Sequence, residues 1–211
     1  MTAPSHRNVF VNCPFDAEFR PIFLAIVFAI LRCGFRPRCA LETDDAATNR
    51  LHKIMAIIGE CRFGIHDLSR TEIDGDPPLP RFNMPLELGI FLGAKRFGKG
   101  EQKSKQALVL DCSPYRYQKF MSDIAGQDIH CHRGDPGHAV SEVVNWLRLY
   151  SSVANVPGGA RAAVEFDRLT DELPSILRGQ ELLAEEMTLS DYSAIVLTYL
   201  DWAGSSTSSH R

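Results

Sequence analysis

Residues 61–95 read CRFGIHDLSRTEIDGDPPLPRFNMPLELGIFLGAK and contain one strand–loop–helix unit. The first part, 62–67, is a short apolar run that ends at Asp67, a pattern typical of a buried strand. A polar loop rich in Asp, Gly and Pro follows, and the next apolar stretch predicts a helix over Pro85–Arg96 with proline in its first turn. A strand that leads through a loop into a helix is the building unit of α/β folds.

The rest of residues 1–150 repeats this alternation. Further strands are predicted by short β-rich runs at 9–12, 35–41, 107–111 and 128–132. Further helices are predicted over Asp16–Arg32, from Asp44 or Asp45 to about Gly59, over Tyr117–Ala125 and over Gly137–Tyr150. Strands separated in this way by helices predict an α/β fold with a doubly wound, mainly parallel five-stranded sheet.

Charge and composition change near residue 150. Residues 151–211 contain four Arg, no Lys and nine Asp plus Glu, a charge of 4 − 9 = −5, whereas residues 1–150 carry +2. The segment 151–159 contains Ser, Pro and Gly and is typical of a linker. We therefore predict an α/β domain over 1–150 and an acidic helical extension over 151–211. The extension includes a helix over Leu189–Trp202 that follows a Thr188 cap.

Composition argues against several classes of protein. A chain of 211 residues with 45% hydrophobic and 23% charged residues is typical of a globular protein. The net charge of −3 argues against a protein that coats nucleic acid. The longest apolar stretch, 22–31, is shorter than the roughly 20 residues that span a bilayer, and residues 1–7 lack the apolar segment of a signal peptide. We therefore expect a cytoplasmic protein without membrane association, whose six scattered cysteines are reduced, partly buried thiols.

Several polar residues are predicted to lie at one edge of the sheet. Ligands of such sheets bind beyond the carboxyl ends of the strands, near the point where the strand order reverses. The strand ends concerned are Asn12, 41–42, Asp67 and Asp111. Glu87 is predicted to lie in the first turn of its helix, where the helix dipole keeps a carboxylate ionised and directs it toward this edge. Asn83 shares its helix face, and Gly89 leaves room for close approach of a ligand or of backbone.

Two other polar clusters each admit two interpretations. Arg38 and Glu42, at the end of the second strand, are predicted either to contact a phosphate or ribose or to pair with each other. Asp128, His130 and His132 share one face of a predicted strand and could share a metal ion. Half-exposed histidines at a strand end are the favoured interpretation of that second cluster.

Two further groups are assigned to structure rather than to chemistry. His66 would point to the opposite face of its strand from Asp67, which favours a packed or hydrogen-bonded histidine over a general base. A run of basic residues is predicted to form a solvated loop, with an anion-binding or partner surface as the alternative. These residues are Lys95, Arg96, Lys99, Lys103 and Lys105.

The ordered set strand–Asp67–x–Ser69, loop, Asn83–x–x–x–Glu87–x–Gly89 resembles a superfamily of nucleotide-processing proteins. That superfamily joins nucleoside 2-deoxyribosyltransferases, related nucleotide N-glycosidases and bacterial TIR-like NAD-cleaving domains. The opening Val9–Asp16, VFVNCPFD, resembles its first strand and nucleotide-contacting loop. The resemblance covers about 8–150 and implies a flavodoxin-like or TIR-like nucleotide-binding domain.

The resemblance also implies roles for individual residues. Glu87 would be the catalytic carboxylate. Contacts to the ribose or base would come from Asp67, Ser69 and Asn83, and the pocket would be lined by Asn12, Phe15 and Asp16. Members of this superfamily often become active only on assembly, so the resemblance further implies a homo-oligomer or an activating protein partner.

The chemistry of N-glycosidic cleavage suits a single carboxylate. Cleavage builds positive charge on the ribose, which the Glu87 carboxylate would stabilise or attack as a nucleophile. Nicotinamide leaves NAD as a neutral molecule and needs no acid, whereas a neutral nucleoside base needs a proton, for which Asp67 is the nearest candidate.

The leading hypothesis is therefore a nucleotide N-glycosidase without a cofactor. Its substrate would be NAD, hydrolysed to nicotinamide and ADP-ribose or a cyclic product, and the resemblance implies a role as a bacterial defence or stress effector. A nucleoside 2-deoxyribosyltransferase and a non-catalytic module for nucleotide sensing or assembly are the alternatives.

Overall fold

A computed structural model describes residues 5–42, 47–71, 73–74, 79–80, 82–154 and 156–208. The strands are β1 (Ser5–Asn12), β2 (Arg36–Arg38), β3 (Cys61–Asp67), β4 (Ile73–Asp74), β5 (Leu79–Pro80), β6 (Gln106–Asp111) and β7 (Ile129–Cys131). The helices are α1 (Arg20–Arg32), α2 (Arg50–Glu60), α3 (Asn83–Phe97), α4 (Pro136–Leu147), α5 (Gly159–Gly179) and α6 (Leu189–Ser208).

One sheet of five parallel strands organises the chain. Its order is β2-β1-β3-β6-β7, and β4 and β5 form a separate antiparallel pair. The strand order reverses between β1 and β3, so the carboxyl ends of these two strands, at Asn12 and Asp67, flank the switch point. The predicted α/β class, with a doubly wound parallel sheet and C-terminal helices, is confirmed.

Helices cover both faces of the sheet. On one face, the side chains of Val11 and Ile65 pack with α1, α4, α5 and α6 in a single apolar cluster. On the other face, Phe10 packs with α2 and with Phe91 of α3, while Val109 packs with the start of α3. Alternate residues of each strand therefore enter different cores, as the period of two requires.

Local polar contacts move several predicted boundaries. The first helix begins at Arg20 rather than at Asp16, because the Asp16 carboxylate accepts the Phe19 N–H and forms a turn. The second helix begins at Arg50 after an Asn49 cap, so its predicted start is wrong; Asp44 and Asp45 lie outside the described residues. The predicted helix over 117–125 is instead two 3₁₀ turns, at Arg116–Lys119 and Ser122–Ile124.

The C-terminal helices pack directly on the α/β unit. Phe28 of α1 and Phe166 of α5 have ring centroids 5.5 Å apart. The connecting segment is also attached, since the Ser151 hydroxyl donates to the Cys33 carbonyl at 2.7 Å. The predicted Thr188 cap is confirmed by reciprocal hydrogen bonds with Asp191. Within the described part of the chain, no helix combines the length and apolarity needed to cross a bilayer.

The prediction that Lys105 lies in a solvated loop is wrong. Its side chain is fully buried, and its ammonium donates to the carbonyls of Ile58, at 2.6 Å, and Cys61, at the end of α2. The ammonium also lies 4.6 Å from the ring centroid of Phe91. Burial lowers the pKa of Lys105 to about 8. This lysine therefore holds the end of α2 against the start of β3.

We expect Lys105→Met to lower the free energy of unfolding by about 2–3 kcal/mol, because the carbonyls at the end of α2 lose a buried charged donor. The exposed Lys103→Met is the matched control and should change stability by less than about 0.5 kcal/mol. Urea denaturation measures both values. Equal stability of the two variants would contradict the assignment.

Candidate active site

Glu87 lies near the carboxyl ends of β1 and β2. Burial is the main cause that raises the pKa of Cys13, which follows β1, and of Cys39, which follows β2, and the charge of Glu87 adds a smaller contribution to both shifts. Asp67 and Asp16 also raise the pKa of the fully buried Cys13. The charges of three carboxylates therefore act on one buried thiol at the edge predicted from the sheet topology.

The predicted electrostatics of Glu87 are wrong. Helix α3 begins at Asn83, so Glu87 is its fifth residue, and the first turn of the helix contains no acid. Burial raises the pKa of Glu87 to about 7, and the charge of Arg50 opposes this shift. The carboxyl group is therefore divided between its neutral and ionised forms near neutral pH, rather than held ionised by the helix dipole.

Asn12 joins the switch point to α3. Its side-chain amide is buried and donates to the Met84 carbonyl at 2.9 Å in the first turn of α3. The same amide nitrogen lies 3.0 Å from Nδ1 of His66 on β3. Asn12, predicted to line the pocket, thus fixes the beginning of the helix that carries Glu87.

His66 is a core residue, as the alternation of β3 predicted. Its ring packs edge-on against Phe10 and Phe91, with centroids 5.8 Å and 5.0 Å away. Complete burial lowers the pKa of His66 to about 3, so the ring is neutral at physiological pH. It contributes packing and a hydrogen bond at the switch point.

Asp67 and Ser69 form a buried cluster with His132. The Asp67 carboxylate accepts the Ser69 N–H at 2.9 Å, and its second oxygen lies 3.0 Å from Nε2 of His132. The Ser69 hydroxyl lies 2.8 Å from the same nitrogen. Because the Gly134 N–H donates to Nδ1 of His132, the neutral ring carries its proton on Nε2. The cluster joins the loops that follow β3 and β7.

The cluster differs from a Ser–His–Asp catalytic triad in its connectivity. In a triad, the carboxylate and the serine hydroxyl contact different ring nitrogens. Here Asp67 and Ser69 both face Nε2 of His132, and all three residues are buried. The arrangement orders two loops and lacks the geometry that activates a serine.

Ion pairs of Arg70 connect the loops that follow β1 and β3. Arg70, after β3, pairs with Asp16, at 3.0 Å, and with Glu18, so two neighbouring loops are joined. Phe15 is half-buried and packs edge-on against Phe23 at 5.4 Å. These contacts place the predicted pocket residues Phe15 and Asp16 in an ordered loop after β1.

Arg38 and Glu42 pair with each other, which is the second of the two interpretations that the sequence allowed. The Arg38 Nε donates to both Glu42 carboxylate oxygens at 2.8 Å, and its Nη1 lies 2.9 Å from Glu60. Glu42 also accepts the Cys39 N–H at 2.9 Å, which ends β2 earlier than predicted. A phosphate or ribose would have to compete with these partners.

The two remaining residues that were predicted to lie at the ligand site, Asn83 and Gly89, are exposed to solvent. Asn83 is exposed at the first position of α3, on the helix face of Glu87. Gly89 is also exposed, and a Cβ added there would meet no described atom within 4 Å apart from its own helix backbone and chain neighbours. Position 89 therefore faces open space.

Asp111, His130 of β7 and His132 after β7 have other partners. The Asp111 carboxylate accepts from Arg116 at 2.8 Å, and Arg116 also donates to the Leu68 carbonyl. His130 faces Glu142 at 2.5 Å, whereas His132 faces Ser69. Across the described ranges, no group of three or more His, Cys, Asp or Glu residues is arranged to hold a metal ion.

Two features of the site escaped sequence reasoning. The charge of Arg50 acts on Glu87, and recognition of Asn49 as a cap would have placed Arg50 at the start of α2. The contact between Ser69 and His132 joins residues 63 positions apart, and no local pattern marks it.

We expect Glu87→Gln to stabilise the protein by up to about 3 kcal/mol at pH 8, because burial disfavours the ionised carboxylate. The pKa of Glu87 is higher in the folded than in the unfolded protein, so the wild-type protein loses stability as the pH rises from about 4.5 toward about 7. The stability gained by Glu87→Gln should therefore vanish near pH 4. Denaturation at both pH values measures it, with the exposed Glu101→Gln as control. A gain independent of pH would contradict the burial of this charge.

Comparisons with known proteins identify no relative of this chain. Searches against protein-family models, curated proteins and solved structures found no match to this chain. The feature that indicates a function is therefore the half-buried carboxyl group of Glu87, near the ends of β1 and β2.

Proposed function

We propose that the protein cleaves the N-glycosidic bond of a nucleotide, with NAD as the substrate and Glu87 as the catalytic carboxylate. The proposal rests on one observation: Asn12, at the switch point of the parallel sheet, bonds the first turn of the helix that carries the half-buried Glu87. Burial raises the pKa of this carboxyl group to about 7. Perturbed carboxyl groups at such edges are typical of catalytic sites. The resemblance of residues 8–150 to nucleotide N-glycosidases supplies the reaction class.

The ionised form of Glu87 would perform the chemistry. As the bond to nicotinamide breaks, positive charge develops at the ribose anomeric carbon, and a nearby carboxylate stabilises it or forms a bond to it. Water then adds to that carbon and gives ADP-ribose, with one proton released. A desolvated carboxylate interacts more strongly with such charge than a hydrated one, because the local dielectric is low.

The surroundings of Asp67 favour NAD over a neutral nucleoside. Transfer between nucleosides requires a proton donor for the leaving base, and Asp67 was the candidate. Its side chain is fully buried, bonded to the Ser69 N–H and close to His132, so a bound base could not reach it in this conformation. Nicotinamide leaves NAD without being protonated, so its cleavage requires no proton donor. In the proposal, Asp67 positions the loop after β3.

Arg50 would tune the carboxylate and attract the phosphates. It is the exposed first residue of α2, and its charge lowers the pKa of Glu87. A pyrophosphate is drawn to a cation at the amino end of a helix, because the helix dipole adds to the charge there. The same position would neutralise phosphate charge that otherwise repels Glu87.

We expect incubation with NAD to release nicotinamide, and Glu87→Gln to reduce that release by at least about a hundredfold while the fold is retained. Chromatography of the products measures the release, and circular dichroism checks folding. Glu142→Gln is the control, since Glu142 is also partly buried, with 34% of its side chain exposed, and lies on α4. Unchanged release by Glu87→Gln would exclude the proposed role. Base exchange with deoxynucleosides, or binding without turnover, would support the respective alternatives.

We expect kcat/KM for NAD to rise roughly fivefold from pH 6 to pH 7 and by about twofold more before it levels off above pH 8, because the ionised fraction of a group with a pKa of about 7 rises in that way. A general acid would give the opposite slope. A rate that falls above pH 7 would therefore contradict the carboxylate role and favour a leaving group that needs a proton.

We expect Arg50→Gln to move the midpoint of this pH profile upward, because the positive charge that lowers the pKa of Glu87 is removed. Arg36→Gln, exposed at the start of β2, is the control and should leave the midpoint in place. A midpoint unaffected by Arg50→Gln would show that another group controls the rate.

A further inference from the structure

The carboxyl-terminal end of α3 presents an unusual apolar side chain. Phe97, its last residue, is 84% exposed. Exposed basic residues surround it in sequence, at Lys95, Arg96, Lys99 and Lys103, and the segment 95–103 has a formal charge of 4 − 1 = +3, with Glu101 as its acid. We call residues 95–103 the basic knob. Aromatic residues and arginine are enriched at protein interfaces, and the positive charge around this ring suits an acidic partner surface.

The base of the basic knob is rigid. The Gly98 N–H donates to the Ala94 carbonyl at 3.0 Å, and a Cβ at position 98 would lie 2.3 Å from that oxygen, so only glycine fits there. The Gln102 amide donates to the Gly59 carbonyl at 2.9 Å and ties the segment to the end of α2. A segment already ordered loses little conformational entropy when it binds.

A groove of about 500 Å³ between α5 and α6 has the complementary character. Its wall is apolar and aromatic at Ile176, Ile195, Tyr199 and Trp202, and its charged residues are both acidic. The described residues that line it are Glu172, Ile176, Gln180, Asp191, Ala194, Ile195, Thr198, Tyr199 and Trp202. Among these lining residues there is no lysine or arginine, so the groove suits an apolar side chain that carries basic neighbours.

The two surfaces lie on opposite faces of the sheet. Helices α5 and α6 pack with α1 and α4, whereas α3 packs on the other face. The basic knob therefore cannot enter the groove of its own chain. Two acidic grooves facing each other would repel, which disfavours a symmetric contact through this surface.

We propose that the basic knob of one copy binds in the α5–α6 groove of a second copy, with Phe97 between the two helices. The contact is independent of the proposed N-glycosidase activity. Because each copy keeps one free knob and one free groove, the contact is heterologous and can repeat along a chain of subunits. One aromatic side chain and a few solvent-exposed ion pairs form a small interface, so association should be weak and sensitive to salt.

Sedimentation velocity of the full chain tests the association directly. We expect the weight-average mass to rise from the 23.5 kDa of one chain toward twice that value or more over a roughly hundredfold increase in concentration. The rise should diminish in about 0.5 M NaCl, where charge attraction is screened over a few ångströms. A chain that stays monomeric throughout would overturn the proposal and leave the groove to a basic segment of another protein.

Two surface variants test the assignment of the two sides. Phe97→Asp removes the aromatic ring of the basic knob, and Thr198→Arg places bulk and positive charge in the groove. Both positions are exposed, so folding should persist. Each variant alone should remain monomeric. Their equimolar mixture should form dimers but nothing larger, because one variant contributes an intact groove and the other an intact knob.

Matched controls separate these effects from general surface changes. Thr170→Arg lies on α5 outside the groove, and Thr170, like Thr198, bonds the carbonyl four residues earlier at 2.9 Å. Leu149→Asp replaces another apolar side chain that is 75% exposed. Both controls should associate like the unaltered chain. Association retained by Phe97→Asp or by Thr198→Arg, or a mixture that remains monomeric, would overturn the proposed contact.

Discussion

The side-chain amide of Asn12 is the contact on which the site depends. It is 2% exposed, so its hydrogen bonds must come from protein, and it bonds both His66 on β3 and the first turn of α3. This single residue therefore fixes the helix relative to the two strands that flank the switch point. The position of Glu87 follows from that attachment, because it lies one turn further along the same helix.

Burial then determines what Glu87 can do. Thiols at the strand ends interact electrostatically with it, and within the described part of the chain Arg50 supplies the positive charge that lowers its pKa. A carboxyl group kept in such surroundings lowers stability when it ionises, which is a common property of catalytic positions. The cost would be offset when a substrate brings positive charge to the ribose.

The architecture was accessible from sequence, while the environment of individual side chains was not. Apolar runs that end in polar residues marked β1, β3 and β6, because strands buried on both faces need nearly continuous apolar sequence. The burial of Lys105 was missed because its partners, the carbonyls at the end of α2, are adjacent only in the folded chain. The same limit applies to His132 and to the desolvation of Glu87, since both depend on packing between distant segments.

The enclosure of α1 has a consequence for how the chain folds. Nine of its thirteen residues are buried, against the sheet on one side and against α4, α5 and α6 on the others. A nascent chain that ended before α5 would leave Phe28 and its neighbours without their outer layer. Amide hydrogens of α1 should therefore exchange with solvent only through global opening, and synthesis of α5 and α6 would complete cooperative folding of the core rather than add a separate module.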